Sequence, residues 1–464
     1  MKETIVRLSS IKLVNIKNVN KGTIMLPNAA KKELSADRAE VLGIYGQNGS
    51  GKTAVIDALF YLQRIMIGDE IESKIIDYID ATADKAEIIV DFNIFSEKAV
   101  YEVGYQLKLV KIDKEVVIER EALSCAKNEN GNRTNKTTFM EFLRHEHEII
   151  FKPKNRLDEL INTNKEIKTD LIVARKMAEK SNCSYIFGES SREIFCKPYE
   201  NNFKTYAFII EALFDFAFKD LFVIQNSHSG MISANFLLPM AFRYGNDDEG
   251  MKGDLMIPLA EPVVLDERGK IVLEEIVDKI NMVLYTIIPD LYVSIRNYGK
   301  QSLDSGEEGW KVELMSKRKN MPEIPIRMES EGIIKIISIL NALIQAFGNP
   351  SICLVIDELD AGIFEYMLGE LLDVFNKRAK GQLIFTSHNL RALEMLNKES
   401  IMFSTANPDN RYIHMKNVKE TNNLRNMYIR SITLGGQDEL IYEETDSLKI
   451  ARAFRKAGRG ANND

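Results

Sequence analysis

The sequence has few cysteines and no sign of a zinc site or a disulfide framework. Its four cysteines, Cys125, Cys183, Cys196 and Cys353, are scattered and form no C-x-x-C pair, the spacing on which many small zinc sites depend. Long hydrophobic runs are also missing, since none approaches the ~20 residues that a membrane-spanning helix needs. The opening MKETIVRLSSIKL lacks the apolar segment of a signal peptide. These absences predict a cytoplasmic protein with reduced cysteines and no membrane partner.

An excess of positive charge is missing as well. The formal net charge is −7, so no overall attraction draws the chain to nucleic acid. Any such contact needs a local basic patch, and the clearest patches are SKRKN at residues 316–320 and KIARAFRKAGR at residues 449–459. Either patch could contact nucleic acid or an acidic partner, although a run of charge is usually a solvated face. Nucleic acid therefore stays a possible partner.

The sequence does contain a complete phosphate-binding motif, G-x-x-x-x-G-K-[ST]. Its residues are Gly46, Gln47, Asn48, Gly49, Ser50, Gly51, Lys52 and Thr53. The apolar run VLGIY precedes the motif and a stretch with helical periodicity follows it, which predicts the strand, loop and helix that a phosphate loop needs. Backbone N–H groups of such a loop and the helix N-terminus bind phosphate oxygens. We expect these residues to bind ATP, with Lys52 as a catalytic cation on the β- and γ-phosphates and Thr53 on Mg²⁺.

An acidic pair and a histidine follow two later apolar runs. Asp357 and Glu358 come directly after ICLVI, and His388 follows QLIFTS. We expect Asp357 to hold the Mg²⁺ shell, Glu358 to polarise the attacking water as general base, and His388 to contact the γ-phosphate. An acidic pair after a strand can instead cap a helix, and a single histidine is more often an ordinary surface or core residue. Because Lys52 and Asp357 are far apart in sequence, a large insertion is predicted between two halves of one ATPase core.

These motifs resemble a known family. GQNGSGKT, LVIDELDAG and FTSHN are similar to the ABC-type ATPase head shared by SMC, RecF and OLD (overcoming lysogenization defect) proteins. The resemblance is greatest to the OLD-like "AAA family ATP-binding protein" group found in bacterial phage-defence and restriction-associated operons. It implies that Asp357 and Glu358 are the acid pair, that His388 is the switch histidine, and that Leu359, Asp360 and Ala361 form a loop facing a second head.

In this family the site is completed in trans by a Ser-Gly signature at a helix N-terminus of a second head. The matching segment here is Ser330-Glu331-Gly332, which precedes the acid pair and is followed by the apolar run IIKIISILNALIQAF. We expect Ser330 and Gly332 to contact nucleotide held by a partner, although Ser330 could be a plain helix cap. LGGQ at residues 434–437 resembles the LSGGQ signature of transporters, but it follows the acid pair instead of preceding it, and we interpret its glycines as a turn.

The predicted fold class is α/β: a P-loop NTPase of ABC-ATPase type, with a mixed sheet flanked by helices, a large mainly helical insertion and an antiparallel β lobe. Residues 1–125 are predicted to form the first part of the head with the phosphate loop, and residues 126–265 the insertion. Residues 266–464 are predicted to form the second part, with the signature-like helix, the acid pair, the histidine and a C-terminal extension. No heptad pattern persists long enough for SMC-type coiled-coil arms, and we expect no Toprim nuclease domain of the kind that OLD proteins carry after the head.

The resemblance implies a magnesium-dependent ATPase that works as a head-to-head homodimer. We expect a sensor or scaffold subunit of an anti-phage defence complex, controlling a separately encoded effector such as a nuclease from a neighbouring gene. The alternatives are a RecF-like or restriction-associated ATPase that clamps DNA when ATP is bound, and a stand-alone hydrolase with no macromolecular partner.

Overall fold

The structure is a computed structural model of the 464-residue chain. It describes residues 4–29, 35–36, 38–146, 149–162, 166–244, 251–303, 306–416 and 423–459. The strands are β1 (Ile5–Ile16), β2 (Val19–Met25), β3 (Glu40–Tyr45), β4 (Lys85–Phe95), β5 (Val100–Ile112), β6 (Glu115–Glu129), β7 (Asn132–Arg133), β8 (Thr137–Leu143), β9 (Leu221–Ile224), β10 (Leu237–Tyr244), β11 (Met251–Pro258), β12 (Val263–Leu265), β13 (Leu291–Ser302), β14 (Glu308–Arg318), β15 (Ile324–Pro325), β16 (Cys353–Ile356), β17 (Gln382–Ser387), β18 (Ile401–Ser404) and β19 (Tyr412–Ile413). The α-helices are α1 (Lys52–Met66), α2 (Lys154–Ile161), α3 (Glu166–Lys180), α4 (Glu189–Phe195), α5 (Phe203–Asp215), α6 (Asn226–Ser233), α7 (Glu267–Ile287), α8 (Glu331–Gly348), α9 (Glu365–Arg378), α10 (Ala392–Met395), α11 (Leu424–Leu434) and α12 (Ser447–Arg459).

A mixed six-stranded sheet forms the centre of the molecule, in the order β19-β18-β3-β17-β16-β9. All neighbouring pairs are parallel except β18 with β19. Every residue of β3, β16 and β17 is buried, as expected for parallel strands covered on both faces. Because β17 lies between β3 and β16, the loops that follow these three strands meet at one edge of the sheet. The phosphate loop, the acid pair and His388 are therefore neighbours.

A second, antiparallel sheet has the order β2-β1-β4-β5-β6-β7, with β8 also paired to β6. The predicted antiparallel β lobe is confirmed, and within it the whole of β4 pairs with residues 100–110 of β5. Helices α1 to α5 share a hydrophobic core with this sheet. Aromatic pairs join the helical segment to β8: Phe139 is stacked on Tyr206 of α5 at 4.4 Å, and Phe142 is stacked on Tyr185, in the turn between α3 and α4, at 5.1 Å. The helical segment therefore covers the β lobe and is not a separate body.

Residues 126–265 differ from the mainly helical insertion that was predicted. The segment holds α2 to α6, but it also holds β7 to β12, and β9 is an edge strand of the central sheet. The run LFVI was not predicted to be a strand of the ATPase core. The structure ends α5 at Asp215, adds one π-helical turn at residues 216–220, and pairs LFVI with β16. A run of four apolar residues fits a short buried strand as well as a helix, and only the partner strand decides between them.

The second half of the chain forms its own hydrophobic core around α7, α8 and α9. The hairpin of β10 and β11 and the sheet β12-β14-β13 also belong to this half. Among the described residues, α8 is the one helix long and apolar enough to cross a membrane by length and composition. Most of α8 is buried inside the protein, including Ile337 and Leu340, as a core helix of a folded domain would be.

Candidate nucleotide site

The phosphate loop lies between β3 and α1 in a conformation that its glycines make possible. Gly46, Gly49 and Gly51 have φ angles of 153°, 78° and 87°, in the region that L-residues rarely occupy. A Cβ on Gly46 would also lie 2.0 Å from Ser404 Oγ. Helix α1 begins at Lys52, directly after the loop, so the positive end of its dipole points toward any bound phosphate.

Four segments distant in sequence hold the loop in place. Ser50 Oγ lies 2.5 Å from Ser404 Oγ at the end of β18, and Tyr412 of β19 donates a 2.7 Å hydrogen bond to Gly51 O. Asn18, in the turn between β1 and β2, donates to Gly49 O. The backbone N–H of Glu443 donates to Gln47 Oε1 at 3.0 Å. None of these supports was predicted from the sequence.

Lys52 is buried and folded onto the loop. Its Nζ donates to Gly46 O at 2.9 Å and to Gln47 O at 3.0 Å. Burial lowers the pKa of Lys52, and the nearby carboxylates of Asp357, Glu358 and Asp360 oppose that shift. The ammonium group is therefore held where it can exchange backbone carbonyls for phosphate oxygens.

Thr53 and Asp357 lie side by side, as a magnesium site of this type needs. Thr53 Oγ1 is 3.4 Å from Asp357 Oδ1, which also accepts a 2.6 Å hydrogen bond from Thr386 Oγ1. The other oxygen, Asp357 Oδ2, is buried and has no hydrogen-bond partner among the described residues. A buried carboxylate oxygen without a partner is costly, and a bound cation would satisfy it.

The donor set fits Mg²⁺ bound together with a nucleotide. Among the described residues, no group of three or more His, Cys, Asp and Glu side chains could hold a metal by itself. Mg²⁺ at phosphate sites takes one or two carboxylates and completes its octahedron with phosphate oxygens and water. Asp357 and Thr53 would hold the ion, which when bound would neutralise charge on the phosphates.

Glu358 has a backbone conformation that is rare for its residue type. Its φ is 47°, which for a residue other than glycine is a strained position that the surroundings must enforce. Its N–H donates to Thr386 Oγ1 at 2.7 Å, and its carbonyl accepts a 2.6 Å hydrogen bond from Lys335 Nζ of α8. Thr386 thus orients both members of the acid pair, and the Glu358 side chain is partly exposed at the edge of the site.

His388 follows β17 with an exposed side chain. Its backbone N–H donates to Asp360 Oδ2 at 3.0 Å, which ties the histidine loop to the loop after the acid pair. Partial desolvation and the Lys52 ammonium group lower the pKa of His388, while Asp360, Glu358 and Asp357 oppose the shift. A neutral imidazole can donate to a phosphate oxygen through one nitrogen.

The two predicted signature residues have different surroundings. Ser330 is the N-cap residue of α8, but its side chain makes no capping hydrogen bond and is exposed. Gly332 is buried, and a Cβ there would lie 1.9 Å from Gly362 O in the loop after the acid pair. Within the described chain, no hydrogen bond joins either residue to the phosphate loop. Ser330 is therefore available to a partner, whereas Gly332 packs within its own chain.

Gln225 is a candidate site residue that sequence reasoning missed. It follows β9, and the carbonyl of the preceding Ile224 accepts a 2.9 Å hydrogen bond from the Asp357 N–H. Gln225 Nε2 donates to Asp57 Oδ1 of α1 at 2.7 Å. The sequence signal is a polar residue directly after a short apolar run, and it is lost if LFVI is interpreted as helix.

The stretch LGGQ lies outside the site, as expected. Helix α11 ends at Leu434, and the φ angles of Gly435 and Gly436 are 70° and 98°. The glycines form the turn that ends a helix, so the predicted turn is confirmed.

Comparisons with known proteins give one partial family match and several similar solved structures. A family model described as "AAA domain, putative AbiEii toxin, Type IV TA system" matches residues 41–181, less than a third of the chain. No curated protein matches the sequence. Among solved structures, the chain is similar to an Smc head domain from Pyrococcus furiosus bound to the C-terminal domain of ScpA. The two sequences are 14% identical, the match covers 89% of this chain and 96% of that chain, and the TM-score is 0.42.

Two further structural matches are more distant. The SMC head domain from Thermotoga maritima is 12% identical, with 88% of this chain and 99% of that chain covered and a TM-score of 0.35. The recombination mediator RecF with ATP is 12% identical, with 83% and 94% covered and a TM-score of 0.33. The strand order and the site described above define a P-loop NTPase fold of the ABC-ATPase type, and the predicted fold class is confirmed.

Proposed function

We propose that this protein binds and hydrolyses ATP with Mg²⁺. The observation that carries the proposal is the free, buried Oδ2 of Asp357 beside Thr53 and Lys52. The phosphate loop and Lys52 would bind the β- and γ-phosphates, and Asp357 and Thr53 would hold the ion. Glu358 would accept the proton of the attacking water, and His388 would donate to the γ-phosphate.

The exposed end of α8 supports a head-to-head dimer. Met328, two residues before the uncapped Ser330, has a large, apolar and exposed side chain, as do Phe364 and Tyr366 in the segment after Gly362. The rings of Phe364 and Tyr366 lie 5.8 Å apart, just beyond the loop that packs on Gly332. A second head would cover these side chains and receive Ser330 at its own γ-phosphate, where a hydroxyl at a helix N-terminus is a good anion ligand.

The role proposed for the dimer is that of a sensor or scaffold in an anti-phage defence complex. The motif resemblance to OLD-like ATPases supports this role, with a separately encoded nuclease as the effector. Co-purification from the native operon tests it. A nuclease retained by the tagged protein supports the role, whereas unaltered phage sensitivity after deletion of the gene contradicts it. A RecF-like DNA clamp is the second candidate, favoured by the basic residues 316–320.

Glu358→Gln tests the chemistry. The amide cannot accept a proton from water, so we expect hydrolysis to fall by about 10²- to 10⁴-fold while ATP binding is kept. With hydrolysis blocked, ATP should hold the two heads together. Isothermal titration calorimetry measures binding, phosphate release measures turnover, and light scattering measures the mass of the complex.

Glu370→Gln, an exposed glutamate on α9, is the matched control and should behave like the wild type. Wild-type turnover by Glu358→Gln would show that Glu358 is not the general base. Loss of ATP binding in this variant would contradict the assigned division between binding and catalytic residues.

A further inference from the structure

Three tyrosines are exposed on one outer surface of the second half of the chain. Tyr292 and Tyr298 lie on β13, and Tyr285 lies on the neighbouring helix α7; their exposed fractions are 42%, 50% and 45%. The rings of Tyr285 and Tyr292 are stacked, with centroids 5.2 Å apart and planes 26° apart. Because strand residues alternate between faces, Tyr292 and Arg296 point to the same side of the sheet, away from the buried Val293. Tyr298 follows a register shift in β13, and its hydroxyl bonds to Glu313, which lies opposite Arg296, so it belongs to the same side. We call this surface the tyrosine face.

Unpaired positive charge lies beside the stacked rings. Lys317 of β14 is directly opposite Tyr292 in the strand register, and Lys319 lies in the turn that follows. Both lysines are exposed, and no described acidic residue forms an ion pair with either. They belong to the SKRKN patch, for which the sequence left a solvated surface and a nucleic-acid contact both open.

The carboxylates on the tyrosine face are already neutralised. Glu323 accepts hydrogen bonds from Ser294 and Arg296, at 3.0 Å and 3.4 Å. Glu313 accepts from Tyr298 and Arg327, at 2.6 Å and 2.7 Å. Each of these two carboxylates is paired with an arginine, whereas Lys317 and Lys319 form no ion pair within the described chain, whose overall charge is negative.

We infer that the tyrosine face binds a single-stranded nucleic acid, with bases stacked on Tyr285 and Tyr292 and phosphates on Lys317 and Lys319. Stacking on exposed rings combined with a basic surface is the usual means of binding single strands without sequence preference. A duplex keeps its bases stacked on one another, so the rings gain nothing from it. This inference goes beyond the proposed ATPase and does not depend on it.

Binding of a fluorescent 20-nucleotide oligothymidylate to the full-length protein, followed by anisotropy without nucleotide, tests the inference. We expect Tyr285→Leu and Tyr292→Leu each to weaken binding about tenfold, and the phenylalanine variants to stay near the wild type because they keep a ring. Lys317→Gln with Lys319→Gln should flatten the dependence of log affinity on log salt by about 1.4, at roughly 0.7 for each phosphate contact in a single strand.

The control for charge is Lys114→Gln with Lys168→Gln, two exposed lysines on other elements, and it should bind like the wild type. Oligouridylate in place of oligothymidylate decides between RNA and DNA as the preferred strand. Three results would overturn the inference. They are no binding of the oligonucleotide at low salt, an affinity unchanged in the leucine variants, or leucine variants that lose self-association of the protein but keep oligonucleotide binding. Hydrolysis measured on the same variants without nucleic acid should be unaltered, which separates this inference from the proposed function.

Discussion

At the scale of single residues, Lys252 shows a charged group that serves the fold outside the nucleotide site. Its Nζ donates to the carbonyls of Ala217 and Leu221, where the π-helical turn passes into β9, and lies 4.8 Å from the centre of the Phe222 ring. Burial lowers the pKa of Lys252 to about 8, with Asp220 and Asp254 opposing the shift. The amine therefore helps to fix the strand that ends at Gln225.

This lowered pKa predicts a pH dependence of stability. In the unfolded chain a lysine has a pKa of about 10.4, whereas the native pKa of Lys252 is about 8. Between these two pH values the unfolded state therefore binds more protons than the native state. The free energy of unfolding contributed by Lys252 must therefore rise with pH across this interval. Urea unfolding of the wild type and of Lys252→Met, at a series of pH values, should give a difference that grows from pH 8 upward.

Taking the difference between the two proteins cancels the titration of other groups. Lys168→Met, at an exposed position on α3, is the control and should give a difference independent of pH. A constant difference for Lys252→Met across the interval would show that the lysine is charged in the native state.

The candidate site could be predicted from the sequence only where a local pattern marks its residues. The phosphate loop, Asp357, Glu358 and His388 could be proposed from the sequence because each directly follows an apolar strand, a pattern contained in the local sequence. Gln225 also follows an apolar run, but a run of only four residues is a weak strand signal. Thr386 was missed because its contacts lie across the sheet. Thr386 bonds to both members of the acid pair, and no local pattern marks a threonine inside a buried strand.

At the scale of elements, the contact between α8 and the loop after the acid pair connects two parts of the site. Gly332 of α8 lies against Gly362, whose φ is 74°, and Lys335 of the same helix bonds to Glu358 O. A shift of α8 would therefore move the backbone of Glu358, the proposed general base. In a dimer, the same helix would carry Ser330 into the partner's site.

Gly332→Ala tests this connection. The added methyl group would meet Gly362 O at 1.9 Å, so the loop or the helix must move. We expect unfolding to become easier by about 1–3 kcal/mol and hydrolysis to fall at least tenfold. ATP affinity should change little, because no hydrogen bond within the described residues joins α8 to the phosphate loop. Thermal unfolding, phosphate release and calorimetry measure the three effects.

Gly348→Ala is a control in the same helix, because a Cβ there meets nothing within 4 Å. It should leave hydrolysis unchanged. Equal loss of ATP binding and hydrolysis in Gly332→Ala would mean that the helix supports the whole head and not the acid pair in particular.

Elements were predicted well where the hydrophobic period was unambiguous. The strands before the phosphate loop, the acid pair and His388, the antiparallel β lobe and α8 all lie where the sequence indicated. The C-terminal segment was not connected to the site beforehand. Its Glu443 N–H reaches Gln47 through a contact between residues 396 positions apart, which local periodicity does not report.

At the scale of the whole molecule, the proposed dimer makes a prediction about mixtures of inactive chains. Lys52→Ala should lose the phosphate contacts but keep Ser330, and Ser330→Arg should block the partner's site but keep its own phosphate loop. In a mixed dimer, the loop of the Ser330→Arg chain faces the intact Ser330 of the other chain. By two-fold symmetry, an equal mixture should recover about one quarter of the wild-type rate, because about half of the dimers are mixed and each has one complete site.

Lys52→Ala mixed with Glu358→Gln is the control: Lys52 and Glu358 serve the same site, so no mixed dimer is complete and phosphate release should stay at background. Equal rates in the two mixtures would contradict a site shared between heads, since the only difference between them is whether Ser330 acts across the interface.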